Sequence, residues 1–227
     1  DACHALGAKY KDQNKLHKIG SCKHADISTF SLHPLKTITS GEGGVITTNN
    51  SKIAKNIYLF RSHGILKNKK QYWKYDILKH GFNYRLSDIN CALGLSQLKK
   101  IDTFLKKRKK IYEKYLKELL NFNLNLKIPK YSKTIQPAYH LFLININFKR
   151  IGKNKDHFMK YFIKDNILAQ QHYIPIYKFS IYNEKVNYFP GAENFFKNSI
   201  SIPIFVELKK KQQQKVIISI KKYFHNV

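Results

Sequence analysis

Phe30-Ser31-Leu32-His33-Pro34-Leu35-Lys36-Thr37-Ile38-Thr39-Ser40-Gly41-Glu42-Gly43-Gly44 is the stretch on which the reading of this chain turns. It opens at the end of a run, residues 25–33, in which β-branched and aromatic residues nearly alternate as in a strand. Pro34 then marks a turn. Beyond it lie a glycine-rich loop, Gly41 to Gly44, and a second short strand, Val45-Ile46-Thr47-Thr48. A hydroxyl at Ser31, an amine at Lys36 and a flexible loop are thus gathered at one strand end, which is where α/β folds bind ligands. A lysine used in covalent catalysis must be held away from bulk water, so that its amine is neutral and nucleophilic toward a carbonyl. A serine hydroxyl beside backbone N–H groups is a suitable phosphate anchor. On their own, the same residues also describe an ordinary surface turn.

Working outward, Asn50-Ser51 caps a helix whose apolar residues Ile53, Ile57 and Phe60 share one face, with Gly64 as its stop. Ser87 caps a long helix in which Ala92, Leu95, Leu98, Ile101, Leu105, Tyr112 and Leu116 recur at helical spacing, ending near Leu120. After a connector from Pro129 to Pro137, the pattern predicts a strand over 139–148, a helix over 156–163 and a strand over 167–177. A strand over 199–205 and a helix over 209–224 close the chain. This order predicts an α/β chain with two parts, 1–120 ending in the long helix and a small α/β or α+β domain over 121–227.

Composition excludes several classes. The 227 residues are 43% hydrophobic and 14% aromatic, which is ordinary for a packed chain and not for a disordered one. No apolar run reaches the roughly 18 residues a membrane span needs, and residues 1–12 lack the pattern of a signal peptide. Three cysteines, Cys3, Cys22 and Cys91, suit a reducing compartment, so a cytoplasmic location is expected. A metal site from Cys3, His4, Cys22 and His24 lacks a usual zinc spacing, and no metal is expected. The net charge of +28 raises the alternative of a basic nucleic-acid-binding module. Against it, only Arg61, Arg85, Arg108 and Arg150 are arginines, and the lysines are spread over nearly every predicted helix as solvated faces. The chain opens on Asp1 and its sole methionine is Met159, from which a missing N-terminal portion is expected.

Six blocks in order carry a resemblance. They are residues 1–8 (Asp-Ala-Cys-His-Ala-Leu-Gly-Ala), the opening stretch 30–44, and Arg61-Ser62-His63-Gly64-Ile65. Then come Gly81-Phe82-Asn83-Tyr84-Arg85-Leu86-Ser87-Asp88, Ala92-Leu93-Gly94-Leu95-Ser96-Gln97-Leu98 and His172-Tyr173-Ile174-Pro175. Together they resemble the DegT-type nucleotide-sugar aminotransferases from end to end of the chain. Gly20-Ser21-Cys22-Lys23 with Ala25-Asp26 looks most like the branch that makes the amino-sugar precursor of pseudaminic acid. The resemblance implies the aspartate-aminotransferase type of fold (fold type I), with residues 1–120 as the C-terminal portion of the cofactor-binding large domain.

It also implies pyridoxal 5'-phosphate (PLP) as cofactor and Lys36 as its Schiff-base lysine and proton carrier. Asp1 becomes the partner of the pyridinium nitrogen, His4 a contact of the ring's phenolic oxygen, and Ser31 a phosphate ligand. Asn83 matches a residue that reaches the cofactor phosphate of a neighbouring subunit, with Arg85 a second polar contact there, so a homodimer with shared sites is implied. Gln171-His172-Tyr173 matches a loop lining the sugar-nucleotide site. The implied reaction moves an amino group, from glutamate, to the C4 ketone of a UDP-linked 4-keto-6-deoxy-N-acetylhexosamine, and the basic field would steer that anion. A different 4-keto or 3-keto nucleotide sugar is the alternative substrate. PLP-dependent sugar dehydration is a further rival, but relatives that dehydrate generally lack the lysine present here. The family's large domain begins upstream of Asp1 with a phosphate-binding turn and an aromatic that stacks on the cofactor, so weak or absent PLP binding is expected of this stretch alone.

Overall fold

The computed structural model describes residues 1–182 and 189–226. In chain order the elements are β1 Lys9–Asp12, β2 Lys15–Lys18, β3 Ser28–Ser31, β4 Gly44–Thr47, α1 Ser51–Arg61, β5 Ile65–Lys67, β6 Tyr75–Ile77, α2 Asp88–Leu98 and α3 Ile101–Leu119. There follow β7 Leu126–Lys127, β8 Ile135–Gln136, β9 Phe142–Ile146, α4 Lys155–Lys164, a 3₁₀ turn Ile176–Lys178, α5 Pro190–Asn198, β10 Ser199–Ile202 and α6 Lys210–His225. The chain divides into two compact units, Asp1–Leu105 with Lys133–Ala138, and Lys106–Ser132 with Tyr139–Val227, so the division falls within α3.

The first unit is built from antiparallel pairs. β3 pairs with β4 in the register Ser28↔Thr47 to Ser31↔Gly44, which leaves Ser31 and Gly44 at the mouth of the connecting loop. α1 is capped by Asn50, whose side chain accepts from the Lys52 and Ile53 amides. Its stop differs in detail from expectation. His63 takes the left-handed position at φ 60°, and Gly64 is the next residue, donating its N–H to Leu59 O at 2.7 Å. The hairpin β1–β2, turning at Gln13-Asn14 with φ 42° and 65°, was not expected from sequence, because its strands KYKD and KLHK lack an apolar alternation.

The single long helix expected from Ser87 to Leu120 is two helices. Ser87 does cap α2, accepting from the Asn90 N–H, but the turn tightens after Leu98, where Lys100 N–H reaches Gln97 O at 3.0 Å, and α3 starts afresh at Ile101. No glycine or proline marks this break, and the apolar spacing runs straight across it.

The second unit has one continuous core. β9 alternates, burying Phe142, Ile144 and Ile146, and pairs with both β10 and β7. Around them pack Tyr115 and Leu119 of α3, Phe158 and Phe162 of α4, and Ile217, Ile220 and Tyr223 of α6. Phe158 and Phe162 stand one helical turn apart with ring centroids at 4.3 Å. Full burial of each such side chain contributes about 1.5–3 kcal/mol. Arg108, buried in this unit, donates from Nη1 to the carbonyls of Tyr139, His140 and Ile204 at 3.2–3.3 Å, and desolvation lowers its pKa. The strand expected over 167–177 is reduced to one bridge, Gln170↔Ser201, because the chain then turns through Pro175 into the 3₁₀ turn.

Candidate active site

Lys36 sits on a loop that leaves β3 after Ser31 and returns at Gly44. Leu32 is its clasp: its N–H donates to Gly43 O at 2.9 Å, while its carbonyl accepts from Ser40 N at 3.0 Å and Thr39 Oγ1 at 2.9 Å. Leu32, Thr37, Ile38 and Ser40 are buried and anchor the loop, whereas Lys36 is partly exposed between them. Its own N–H closes a tight turn onto His33 O at 2.9 Å, with Pro34 in the bend. Gly43 has φ +143°, and a Cβ there would lie 2.8 Å from Leu86 Cδ1 and 2.9 Å from Ser40 Oγ, so any other residue strains the closure of the loop.

Ser31 lies at the end of β3, its Oγ accepting from His33 N–H at 3.3 Å. Asp1 is brought beside the same strand, since Ala2 N–H donates to Thr29 O at 2.8 Å, two residues before Ser31. The Asp1 carboxylate is exposed and accepts from Cys3 N–H through Oδ1 at 2.8 Å. His4 lies in the turn that Ala5 N–H closes on Ala2 O, and is partly buried. Asp1, Ser31 and Lys36 are therefore gathered around β3 and its following loop.

Asn83 and Arg85 come from another loop. Asn83 forms a bridge with Ser62, Tyr84 N–H donates to Arg61 O, and the rings of Phe82 and Tyr84 stack at 4.8 Å. That pairing fixes the backbone and leaves the side chains of Asn83 and Arg85 exposed. Gln171-His172-Tyr173 belongs to the second unit. There His172 Nδ1 is 2.7 Å from the hydroxyl of the buried Ser201, and the following turn is held by Glu193, which pairs with Lys178 and accepts from Tyr177. The Lys178 contact keeps the Glu193 carboxyl below the usual carboxylate range. Tyr173 is exposed.

Of the four Cys and His residues that lack a zinc spacing, Cys22 and His24 are engaged within the protein: Cys22 Sγ donates to Thr47 O at 3.2 Å, and His24 contacts Tyr10 and Asp12. Sequence reasoning missed Asn90 and Ser40, whose bond joins α2 to the Lys36 loop. The spacing of Asn90 three residues after Ser87 signals the helix cap but not this bond.

The model of the DegT/DnrJ/EryC1/StrS aminotransferase family matches residues 1–221. The chain belongs to this family. A relative in Campylobacter jejuni named UDP-4-amino-4,6-dideoxy-N-acetyl-beta-L-altrosamine transaminase is 40% identical over 215 residues, covering 93% of this chain and 54% of the relative. Among solved structures, PseC of Helicobacter pylori, an aminotransferase in biosynthesis of pseudoaminic acid, matches with TM-score 0.88 at 34% identity over 100% of this chain and 59% of its own. Spr1654 of Streptococcus pneumoniae in its PLP form matches with TM-score 0.85 at 25% identity, over 100% of this chain and 57% of its own. The fold of this DegT-family chain is thus that of the PLP-dependent sugar aminotransferases, fold type I. The chain spans little more than half the length of the curated relatives it matches.

Proposed function

We propose that this chain is the lysine-bearing part of a PLP-dependent transaminase that aminates a nucleotide-linked keto sugar. The observation that carries the proposal is the placing of Lys36 on a closed loop at the end of β3, with Ser31 and Asp1 beside the same strand. The donor set fits the cofactor's chemistry. Among the described residues no hydrogen bond or ion pair engages the Lys36 ammonium, and only one Asp1 carboxylate oxygen is engaged. An amine for an aldehyde carbon, a carboxylate for a pyridinium nitrogen and a hydroxyl for a phosphate are the three groups PLP requires.

When bound, PLP supplies an electron sink that lets an amino group leave one carbon skeleton and join another. Lys36 would hold the cofactor and then, as a free amine, take and return the proton at the reacting carbon. Asp1 would keep the ring nitrogen protonated, His4 would contact the phenolic oxygen, and Ser31 would hold the phosphate. The exposed Asn83 and Arg85 side chains suit a role across a subunit boundary, so a homodimer with shared sites is part of the proposal. Residues 1–120 would close the cofactor-binding domain, 121–227 would form the small domain, and Gln171, His172 and Tyr173 would face the sugar nucleotide.

The substrate proposed is a UDP-linked 4-keto-6-deoxy-N-acetylhexosamine with glutamate as donor, a reading supported by the names of the Campylobacter and Helicobacter transaminases. A cytoplasmic location accords with this. Among the described residues no helix is long and apolar enough to cross a membrane. The test is to incubate the full-length protein with PLP, glutamate and a panel of 3-keto and 4-keto nucleotide sugars, reading 2-oxoglutarate release and the product by NMR. Amino-sugar formation with the 4-keto UDP sugar is expected. No amino product from any member of the panel would overturn the proposal.

A further inference from the structure

We propose that Asn90 is a positioning residue that ties the Lys36 loop to the helix preceded by Asn83 and Arg85, so that both cofactor-facing segments are set by one side chain. This rests on reading Lys36 as the cofactor lysine. Asn90 lies in the first turn of α2 and uses both ends of its amide. Its Nδ2 donates to Ser40 O in the Lys36 loop, and its Oδ1 accepts from the hydroxyl of Ser87, the cap of its own helix. Its backbone N–H in turn donates to Ser87 Oγ at 3.3 Å.

The receiving side is shaped for this contact. Ser40 is fully buried, with its N–H on Leu32 O, its hydroxyl on Glu42 O and its carbonyl accepting from Asn90. A Cβ on Gly41 would sit 3.1 Å from Asn90 Nδ2, and one on Gly94, a turn further along α2, lies 3.3 Å from Ser40 Cβ. Two glycines thus allow helix and loop to meet closely enough for the amide to bond. On the helix side, Leu86, which directly follows Arg85, rests against the Gly43 position. Asn90 therefore joins a buried carbonyl four residues beyond Lys36 to the cap two residues beyond Arg85.

Two halves of the contact can be separated. N90D retains an acceptor for Ser87 but puts a carboxylate against Ser40 O in place of the donor, whereas N90A loses both. S87A removes the cap and leaves the donor to Ser40. With full-length protein and added PLP, N90D and N90A are expected to raise the PLP half-saturation about tenfold, the cost of leaving a buried carbonyl unpaired. Both should also move the pH midpoint of the bound cofactor's visible band and speed amide exchange over residues 38–43. S87A, which cuts the link to the Arg85 side but keeps the donor to Ser40, should speed exchange over 87–91 without speeding it over 38–43 and raise half-saturation by roughly threefold, less than either Asn90 variant, as loss of a cap predicts. Rescue of PLP half-saturation and band midpoint to wild-type values in folded N90D would overturn the proposal, and loss of the fold in both Asn90 variants would reassign the residue to structure alone. A wild type that takes up no PLP would sink the cofactor reading itself, a result distinct from any Asn90 effect.

Discussion

In the unit that begins at Lys106, Phe142, Ile144, Ile146, Phe158 and Phe162 are wholly shielded, and strand and helix faces meet in one apolar cluster. In the unit that opens the chain, among the described residues only Phe30, Leu32, Ile38 and Leu59 are buried apolar side chains larger than alanine. Beside the buried Leu32 and Ile38, the Lys36 loop in that unit is ordered by polar contacts and backbone: the Leu32 clasp, the Asn90 bond and the backbone of Gly43. The contrast teaches that one unit is held by packing and the other, at its candidate site, by polar geometry. Different substitutions should therefore be costly in each.

The largest effect on stability is expected from Phe158→Ala in the packed unit. Removing a fully buried ring that touches Phe162 and Tyr223 should cost about 3–5 kcal/mol, read as a lowered denaturation midpoint. A cost below about 1 kcal/mol would mean that this core is loosely packed, and the comparison between the units would fail.

Gly43→Ala comes next and should invert the pattern. Its φ of +143° and the contacts its Cβ would make with Leu86 and Ser40 imply a local cost of about 1–3 kcal/mol. The change should appear chiefly as weaker PLP uptake by the full-length protein, with the Phe158-centred core unaltered. Unchanged uptake would show that the Lys36 loop does not depend on its closure.

The smallest effect is one of pH. Burial pushes the Tyr112 and Tyr223 hydroxyls up to about 12, while a phenol in the unfolded chain ionises near 10. The unfolded chain then loses these protons first, so stability is unaffected below pH 10 and falls as pH rises from 10 to 12. Tyr223→Phe should flatten that alkaline dependence, as measured by denaturation at a series of pH values. An unaltered slope would show that this tyrosine is not the group responsible.

How legible these features were in the sequence follows the same divide. β3, the turn at Pro34, the Asn50 and Ser87 caps, β9, α4 and α6 could be read because alternation, helical spacing and capping are local signals. The break after Leu98 could not, because Leu98 and Ile101 continue the apolar spacing through a turn that carries only lysines. Nor could the fate of residues 167–177, where β-branched and aromatic side chains read as a strand but only Gln170 forms a β-bridge, to Ser201. At the candidate site, the Ser31 and Lys36 neighbourhood was legible as a strand end, and its chemical meaning came from the order of six motifs. The Asn90–Ser40 bond spans fifty residues, and nothing local announces it.

The central claim is that Lys36 is the residue that binds the cofactor covalently. It is tested most directly by adding PLP to the full-length protein, reducing with borohydride and mapping the modified lysine by mass spectrometry. The account predicts a stoichiometric adduct on the peptide containing Lys36 and its loss in Lys36→Ala. Labelling spread over other lysines, or an adduct that persists without Lys36, would contradict it.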